Sequence, residues 1–575
     1  MVGVIDDVGA VVRHSFRDKG DAIFLLGTNR GELGGSEYLY AVHDIVAGEP
    51  PEVSLPAERS LQRCLLALAG FRVLKSAHDV ASGGLAATLV ESCLGRPRTG
   101  RAVGASVRLE DDLPDTALLD DRPREECGIV GISNVENASE LAFLGLYALQ
   151  HRGQEAAGIC AANGGHTKLH KELGLVSDVF NAERIASLPG HTALGHVRYS
   201  TAGSGQRVNA QPIVVRYAEG DLAIVHNGNL TNANFMRRQL VSEGAIFQSS
   251  SDSELFVHLV ARSRHRSVEA QLRDALSFVE GAYALVVTVG DTMYAVRDPR
   301  GFRPLVLGEL DGGHIVASET CALDIMGARF VRDIAPGELL RLKGGRADSL
   351  HGLHPETPAP CIFELVYFAR PDSSLWGMSV DRARRSFGRQ LAREHPVQGD
   401  CVIAVPDSAN SAALGYSEQS GIPYELGLLR NHYVGRTFIR PSQADRDFGA
   451  RIKYNPVREV LAGQRVVVVD DSIVRGTTST SLVKFIRGAG AAEVHFRVAS
   501  PPVRFPCYYG IDMPSKEELM GSRMSVDEIA ADLGVDSLGY LSLDGMEAAV
   551  AEGGPFCAAC FSGEYSAPLV DLEGG

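Results

Sequence analysis

Two groups of residues in this 575-residue chain have the types and spacing for chemistry. The first follows a run of valines, Val466 to Val469, which delivers Asp470 and Asp471 into the turn Ser472-Ile473-Val474-Arg475-Gly476 and then Thr477-Thr478-Ser479. Such a run suits a strand buried on both faces of a parallel sheet, where ligands sit beyond the strands' carboxyl ends. Arg475 and the segment Gly476 to Ser479 can offer a guanidinium, backbone N–H groups and hydroxyls to a phosphate. The following helix adds a dipole that favours an anion there. Asp470 and Asp471 are then placed for sugar hydroxyls and Mg²⁺. An Asp-Asp pair alone reads as a solvated turn, but this setting reads as a cradle for a phosphorylated sugar. It lacks the Gly-Lys-Ser/Thr of a P-loop and the clustered glycines of a dinucleotide site.

The second group starts at Cys127, followed by Gly128-Ile129-Val130-Gly131-Ile132, a short buried strand. Downstream come Leu149-Gln150-His151-Arg152-Gly153-Gln154-Glu155, Gly195-His196-Val197-Arg198-Tyr199-Ser200-Thr201, His226-Asn227-Gly228-Asn229-Leu230 and Ser249-Ser250-Ser251-Asp252-Ser253-Glu254. A thiol that attacks an amide needs a base for its proton and prepositioned donors for the tetrahedral oxyanion. Together these motifs resemble the glutamine amidotransferases of the amino-terminal-nucleophile type, over most of residues 127 to 345. The resemblance implies that Cys127 is the nucleophile and its own α-amino group the base. It implies that Asn227 and the N–H of Gly228 form the oxyanion hole, Arg198 binds the glutamine carboxylate and Asp252 its amino group. The nitrogen of Cys127 is bound to Glu126 in the encoded chain, so cleavage between Glu126 and Cys127 is expected.

The Asp470 loop resembles that of the phosphoribosyltransferases. A glutaminase followed by such a domain resembles the iron–sulfur, propeptide-processed branch of the amidophosphoribosyltransferases, from about Glu125 nearly to the carboxyl end. Further matches are Val405-Pro406-Asp407-Ser408, segments within residues 421–427 and 433–439, and Ser500-Pro501-Pro502. The resemblance implies that Ser408, Asp470 and Asp471 surround Mg²⁺ and that Gly476 to Ser479 hold the 5′-phosphate. It also implies that Arg436 to Arg458 form a closing loop. Cys557-Ala558-Ala559-Cys560 is a tight thiol pair of a kind shared by zinc and redox sites. By the resemblance, Cys361 and Cys507 complete the ligand set of a 4Fe-4S cluster, a set that could also hold Zn²⁺. The expected reaction converts glutamine, phosphoribosyl pyrophosphate and water into 5-phosphoribosylamine, glutamate and pyrophosphate, the first committed step of purine synthesis. A homotetramer inhibited by purine nucleotides is implied as well. The rival readings are a non-catalytic regulator that senses phosphoribosyl pyrophosphate, and a glutaminase joined to a sugar-isomerising domain.

The elements that must position these groups follow from patterning. Residues 127–345 read as β-rich, with strands at Leu222 to His226 and Tyr283 to Thr288 and helices around Glu140 to Gln150 and Ser253 to Arg262. Residues 361–565 alternate strand and helix, as a parallel α/β sheet does. Strands are expected at Cys401 to Val405, Tyr424 to Leu428 and Glu493 to Val498, with helices from Ser408 and after Gly476. The fold class is therefore α/β and α+β multidomain: by resemblance, an αββα glutaminase sandwich followed by a phosphoribosyltransferase parallel α/β domain. Residues 116–126 read as an acidic linker or propeptide. Residues 1–115 resemble part of the carboxyl-terminal portion of formylglycinamidine ribonucleotide synthase, through the apolar run from Asp21 to Gly27, Leu33 to Tyr38 and Ala77 to Leu85. Its ATP-binding companion is absent and Ser82 replaces a usual acidic residue, so this part reads as a vestigial, fused or misjoined remnant without catalysis, with a docking module as the rival reading.

A net charge of −15 gives no basic footprint for nucleic acid, and no apolar segment is long enough to span a bilayer. No signal-peptide pattern opens the chain, so the cytoplasm is expected. Ten scattered cysteines do not make a secreted disulfide framework. Cys64, Cys93, Cys160, Cys321 and Cys401 are expected to be packing residues.

Overall fold

The computed structural model describes residues 127–199, 207–350, 352–431, 454–513 and 515–573. The chain divides into two units at Leu113/Pro114, and all described residues belong to the second. The amino-terminal segment with Cys64 and Cys93, the linker with Glu126, and residues 436–453 of the expected closing loop lie outside the described residues.

Two antiparallel sheets face each other in the first domain. One runs Arg329–Asp333, Val306–Leu310, Gly313–Ala317, Gly128–Ser133, Thr192–Arg198, Ala156–Asn163, His166–Leu173. The other runs Arg346–Leu350, Leu339–Lys343, Thr292–Arg297, Gly281–Val289, Gly220–Leu230, Ile213–Tyr217. Ile129, Leu194, Val225, Val286, Met293 and Leu340 fill the space between them. The helices Ala138–Ala148 and Thr320–Met326 cover the outer face of the first sheet through Ala142, Leu146, Leu323 and Met326. Ala233–Ser242, Glu254–Arg262 and Val268–Leu276 cover the second through Met236, Leu255 and Leu272. Alternating apolar residues on each strand thus produce a four-layer αββα sandwich.

This domain runs past the expected end at Gly345. Gly344 and Gly345, both at positive φ, make the two-residue turn of a hairpin in which Lys343 pairs with Arg346, and the strand continues to Leu350.

The second domain centres on four parallel strands in chain order: Cys401–Ala404, Arg465–Asp470, Glu493–Val498 and Ser537–Tyr540. Val467 and Val469 pack with Phe387 and Leu391 of the helix Val380–Glu394 on one face. Val466 and Val468 pack on the other with Leu482 and Ile486 of the helix Thr477–Gly488. The valine strand is therefore buried on both faces, as expected. The expected strand from Tyr424 to Leu428 does not form. Tyr424 makes one bridge to Val402, and Leu428–Arg430 pairs instead with Tyr454–Pro456. Gly427 explains the turn away: a Cβ there would lie 2.6 Å from Ile403 Cγ2, so only glycine passes so close to the sheet.

Candidate active site

Gly128 pairs with Val197 in antiparallel register, which sets Cys127 opposite Arg198 at the edge of the sandwich. The thiol donates to the Tyr199 carbonyl at 3.6 Å. Burial pushes the Cys127 thiol up to about 11, although a backbone hydrogen bond at Tyr199 and the charge of Arg198 oppose it; Asp252 and Glu155 add to the rise. Arg198 and Asp252 thus both lie within electrostatic reach of the sulfur. At neutral pH that sulfur is a protonated thiol, and attack requires a base.

The facing sheet carries Asn227 and Gly228 on its strand Gly220–Leu230. His196 Nε2 lies 3.1 Å from the His226 carbonyl, joining the strand of Arg198 to that of Asn227. Asn227 is 1% exposed, and among the described residues neither atom of its amide has a hydrogen-bond partner. A buried amide in that state costs about 1–3 kcal/mol, which a developing oxyanion would relieve. Gly228 follows at φ 144°, where a Cβ would sit 2.1 Å from the Ala282 carbonyl oxygen. No other residue fits that turn of the strand.

Asp252 accepts from the Leu230 N–H at 3.0 Å and from Ser253 Oγ at 3.3 Å, with His226 Nδ1 at 3.7 Å. Burial alone would raise its carboxyl, but His226 and these donors outweigh it and hold the group below the ordinary range. Asp252 is thus a buried carboxylate suited to an ammonium group. Its turn is braced by Arg237, which donates to the Ser249 and Ser251 carbonyls, and by Glu254, which accepts from the N–H groups of Gln248 and Ser249. Gln211 accepts from the His226 N–H at 2.7 Å and donates to Ser253. Gln211 and Arg237 drew no attention in the sequence.

Behind Cys127 stands a buried ionic cluster. Arg152 Nε donates to the Cys127 carbonyl at 3.3 Å, while its terminal nitrogens pair with Glu319 at 2.7 Å and Glu364 at 2.6 Å. Glu364 belongs to the second domain, close after Cys361. Glu319 also accepts from His151, the Arg370 N–H and Ser373 Oγ. The nucleophile's backbone is thereby tied to both domains. His151-Arg152 and Glu364 lay within recognised motifs, but nothing local signalled that they meet.

At the second site Asp470 and Asp471 end their strand almost fully buried. Ser408 Oγ donates to Asp471, as does Ser472 Oγ at 2.8 Å, and the Asp471 N–H donates to Asp470 at 3.0 Å. The buried Arg384 donates to the Ser408 carbonyl at 3.4 Å and fixes that loop. The structure therefore brings Ser408, Asp470 and Asp471 together, an all-oxygen set of the kind that suits Mg²⁺. Gly476, at φ 82°, is the N-cap of the helix Thr477–Gly488 and makes no side-chain cap, leaving the first-turn N–H groups facing the loop. Thr477 is exposed, Thr478 half-buried and Ser479 buried. Arg475 turns to Glu518 at 3.6 Å.

The four cysteines Cys361, Cys507, Cys557 and Cys560 also converge. Cys361 bridges Cys557 through the backbone. Burial, together with the neighbouring thiols, pushes Cys361 and Cys557 up to about 12, and the same causes raise Cys560 well above the ordinary thiol range. Four thiolates so placed repel one another unless cationic metal neutralises them, so the donor set fits a thiolate-held centre. Among the described residues, no three His, Cys, Asp or Glu side chains close around a single ion. Cys160, Cys321 and Cys401 are buried and free, and Cys321 donates to Glu319 at 3.7 Å.

Known proteins resemble this chain in sequence and fold. A glutamine amidotransferase domain family matches residues 196–324, and the AIR synthase related protein carboxyl-terminal domain matches residues 18–139. The chain is 51% identical over 448 residues to the chloroplastic amidophosphoribosyltransferase of Vigna aconitifolia, covering 78% of this chain and 92% of that protein. It is 46% identical to the amidophosphoribosyltransferase of Bacillus subtilis, covering 77% and 94%. The solved structure of glutamine phosphoribosylpyrophosphate amidotransferase from B. subtilis, complexed with ADP and GMP, superposes with a TM-score of 0.74 at 45% identity over 77% of this chain and 98% of that one. A structure described as the allosteric regulatory enzyme of purine biosynthesis gives the same TM-score at 46% identity. With two thirds and more of the chain aligned at such identity, and both sites built as above, the protein belongs to the amidophosphoribosyltransferase family.

Proposed function

We propose that the chain releases ammonia from glutamine at Cys127 and uses it to aminate phosphoribosyl pyrophosphate at the Asp470–Asp471 loop, yielding 5-phosphoribosylamine, glutamate and pyrophosphate. The observation that carries this reading is the pairing of a complete glutaminase constellation with a sugar-phosphate loop inside one ion-tied unit. A sensor that only bound phosphoribosyl pyrophosphate would have no use for a buried thiol at Cys127 or for the buried Asn227 amide, unpaired among the described residues.

In the first half-reaction the Cys127 sulfur bonds to the glutamine side-chain carbon and its proton passes to the freed α-amine. A free amine is a far better proton acceptor than the peptide nitrogen it replaces. Asn227 and the Gly228 N–H hold the oxyanion, and ammonia leaves as the thioester forms. Water then hydrolyses the thioester to glutamate. This requires cleavage before Cys127, and mass spectrometry of active enzyme should find Cys127 at a mature amino terminus.

In the second half-reaction Ser408, Asp470 and Asp471 would hold Mg²⁺, which neutralises charge on departing pyrophosphate when bound. The segment Gly476 to Ser479 would seat the 5′-phosphate. Cys361, Cys507, Cys557 and Cys560 would hold a 4Fe-4S cluster. The same four thiols could hold zinc, and the family resemblance favours the cluster. Inhibition by purine nucleotides, a homotetramer and a cytoplasmic setting complete the proposal. The first accords with the nucleotides in the B. subtilis structure. Among the described residues, no helix is long and apolar enough to cross a membrane. Incubating the enzyme anaerobically with amide-¹⁵N-glutamine and phosphoribosyl pyrophosphate tests the coupling. Label in trapped phosphoribosylamine, with one pyrophosphate per glutamate, is expected; glutamate without pyrophosphate would refute it.

A further inference from the structure

The last described residues form a short turn, Val570–Glu573, seated on the glutaminase domain. The helix Ala233–Ser242 beneath it has no cap of its own: its N-cap residue, Asn232, makes no side-chain cap hydrogen bond. Asn232 is committed elsewhere, donating to the Phe278 carbonyl at 2.8 Å and accepting from the Glu280 N–H at 3.0 Å. Asp571 supplies the missing cap from 337 positions further along the chain, its carboxylate accepting from the N–H groups of Asn234 at 2.8 Å and Phe235 at 2.9 Å. Its own N–H donates to the Thr231 carbonyl at 3.0 Å. Three bonds from one residue therefore clamp the segment that begins at Leu230, and the Leu230 N–H is the backbone donor to Asp252.

A cavity of about 200 Å³ opens at this junction. Asp252, Asn229, Thr231 and Arg237 line one side, and Tyr508, Leu569 and Asp571, from the carboxyl-terminal half, line the other. The Tyr508 carbonyl accepts from Asn229 Nδ2 at 3.0 Å. Among the described residues Thr231 Oγ1, in a residue only 5% exposed, has no partner, so the cavity wall holds an unused polar group.

We propose that Asp571 is a positioning residue for glutamine: the carboxyl-terminal turn caps the helix Ala233–Ser242 from a distance, clamps Thr231 to Phe235 directly after Leu230, whose N–H donates to Asp252, and so sets the carboxylate of Asp252. This rests on the reading of Asp252 as the partner of the glutamine amino group. The transferase site takes no part in the clamp, so ammonia bypasses it.

The test compares Asp571→Ala, Asp571→Asn and Asp252→Asn in the full-length enzyme. A lost cap loosens such a segment by a free energy equivalent to about a 3- to 30-fold change, so KM for glutamine should rise by that factor in Asp571→Ala. Pyrophosphate release with ammonia as donor should be unchanged. Asn also accepts at an N-cap, so Asp571→Asn should restore most of the affinity. Hydrogen exchange at residues 234–238 should accelerate in Asp571→Ala alone. An unchanged KM, or equal loss of the glutamine- and ammonia-dependent activities, would overturn the proposal. If Asp252→Asn leaves KM unaltered, the underlying reading of Asp252 fails, and a response confined to Asp571→Ala would then mark a different route from the clamp to glutamine.

Discussion

Replacing Asn227 with alanine separates catalysis from stability. In most buried positions the loss of a polar side chain breaks hydrogen bonds, and stability and activity fall together. Asn227 is 1% exposed and among the described residues its amide nitrogen and oxygen have no partners, so the folded protein loses no bond. Relief of a buried unpaired amide, worth about 1–3 kcal/mol, offsets the small cavity left behind, and the net change in stability should stay within about 1 kcal/mol. The oxyanion loses one prepositioned donor, which lowers kcat by about 10²- to 10³-fold. That interaction exists only in the transition state, so KM for glutamine should hardly move. The assay is glutamate release at saturating phosphoribosyl pyrophosphate, with ammonia-dependent pyrophosphate release as the control and urea denaturation for stability. A large loss of stability with less than a tenfold fall in kcat would make Asn227 a structural residue and refute the reasoning.

Two further outcomes follow from the buried charges and thiols. Burial alone would raise the Glu319 carboxyl, but the charges of His151 and Arg152 outweigh it and hold the group well below the ordinary range. Its stabilisation is therefore full above the unfolded value of about 4.3 and is lost as pH falls toward the lower folded value. Glu319→Gln should be less stable at pH 7 by about 3–5 kcal/mol, since Arg152 is left part-paired, and the gap should close below about pH 4 in denaturation curves. Curves that stay parallel across that range would rule this out. Cys507→Ser should remove most of the iron and visible absorption from protein prepared without oxygen, whereas zinc in its place would point to a mononuclear centre.

Much of the fold could be read along the chain because its signals are local. The valine strand ends in two acids and a glycine-led helix, and each residue acts on its near neighbours. Val466 and Val468 facing one core and Val467 and Val469 the other is what an unbroken apolar run implies. Cys127, Arg198, Asn227 and Asp252 were singled out through motifs, and the structure carries those motifs within one sandwich. Errors arose where a glycine serves close approach or a hairpin, as at Gly427 and Gly344-Gly345. Illegible altogether were partnerships between remote residues. Arg152 meets Glu319 and Glu364 across 167 and 212 positions, and Asp571 caps a helix whose own N-cap looks sufficient on paper. An Asn before a helix predicts a cap, and only the structure shows that Asn232 has turned to Phe278 and Glu280.

The account stands on nitrogen leaving glutamine at Cys127 and reaching the sugar at Asp470 and Asp471. Anaerobic pyrophosphate release by the native enzyme and by Cys127→Ser, with glutamine or with ammonia as donor, measures this directly. The account predicts that the variant loses release with glutamine and keeps it with ammonia. Glutamine-driven release undiminished by the substitution would contradict it.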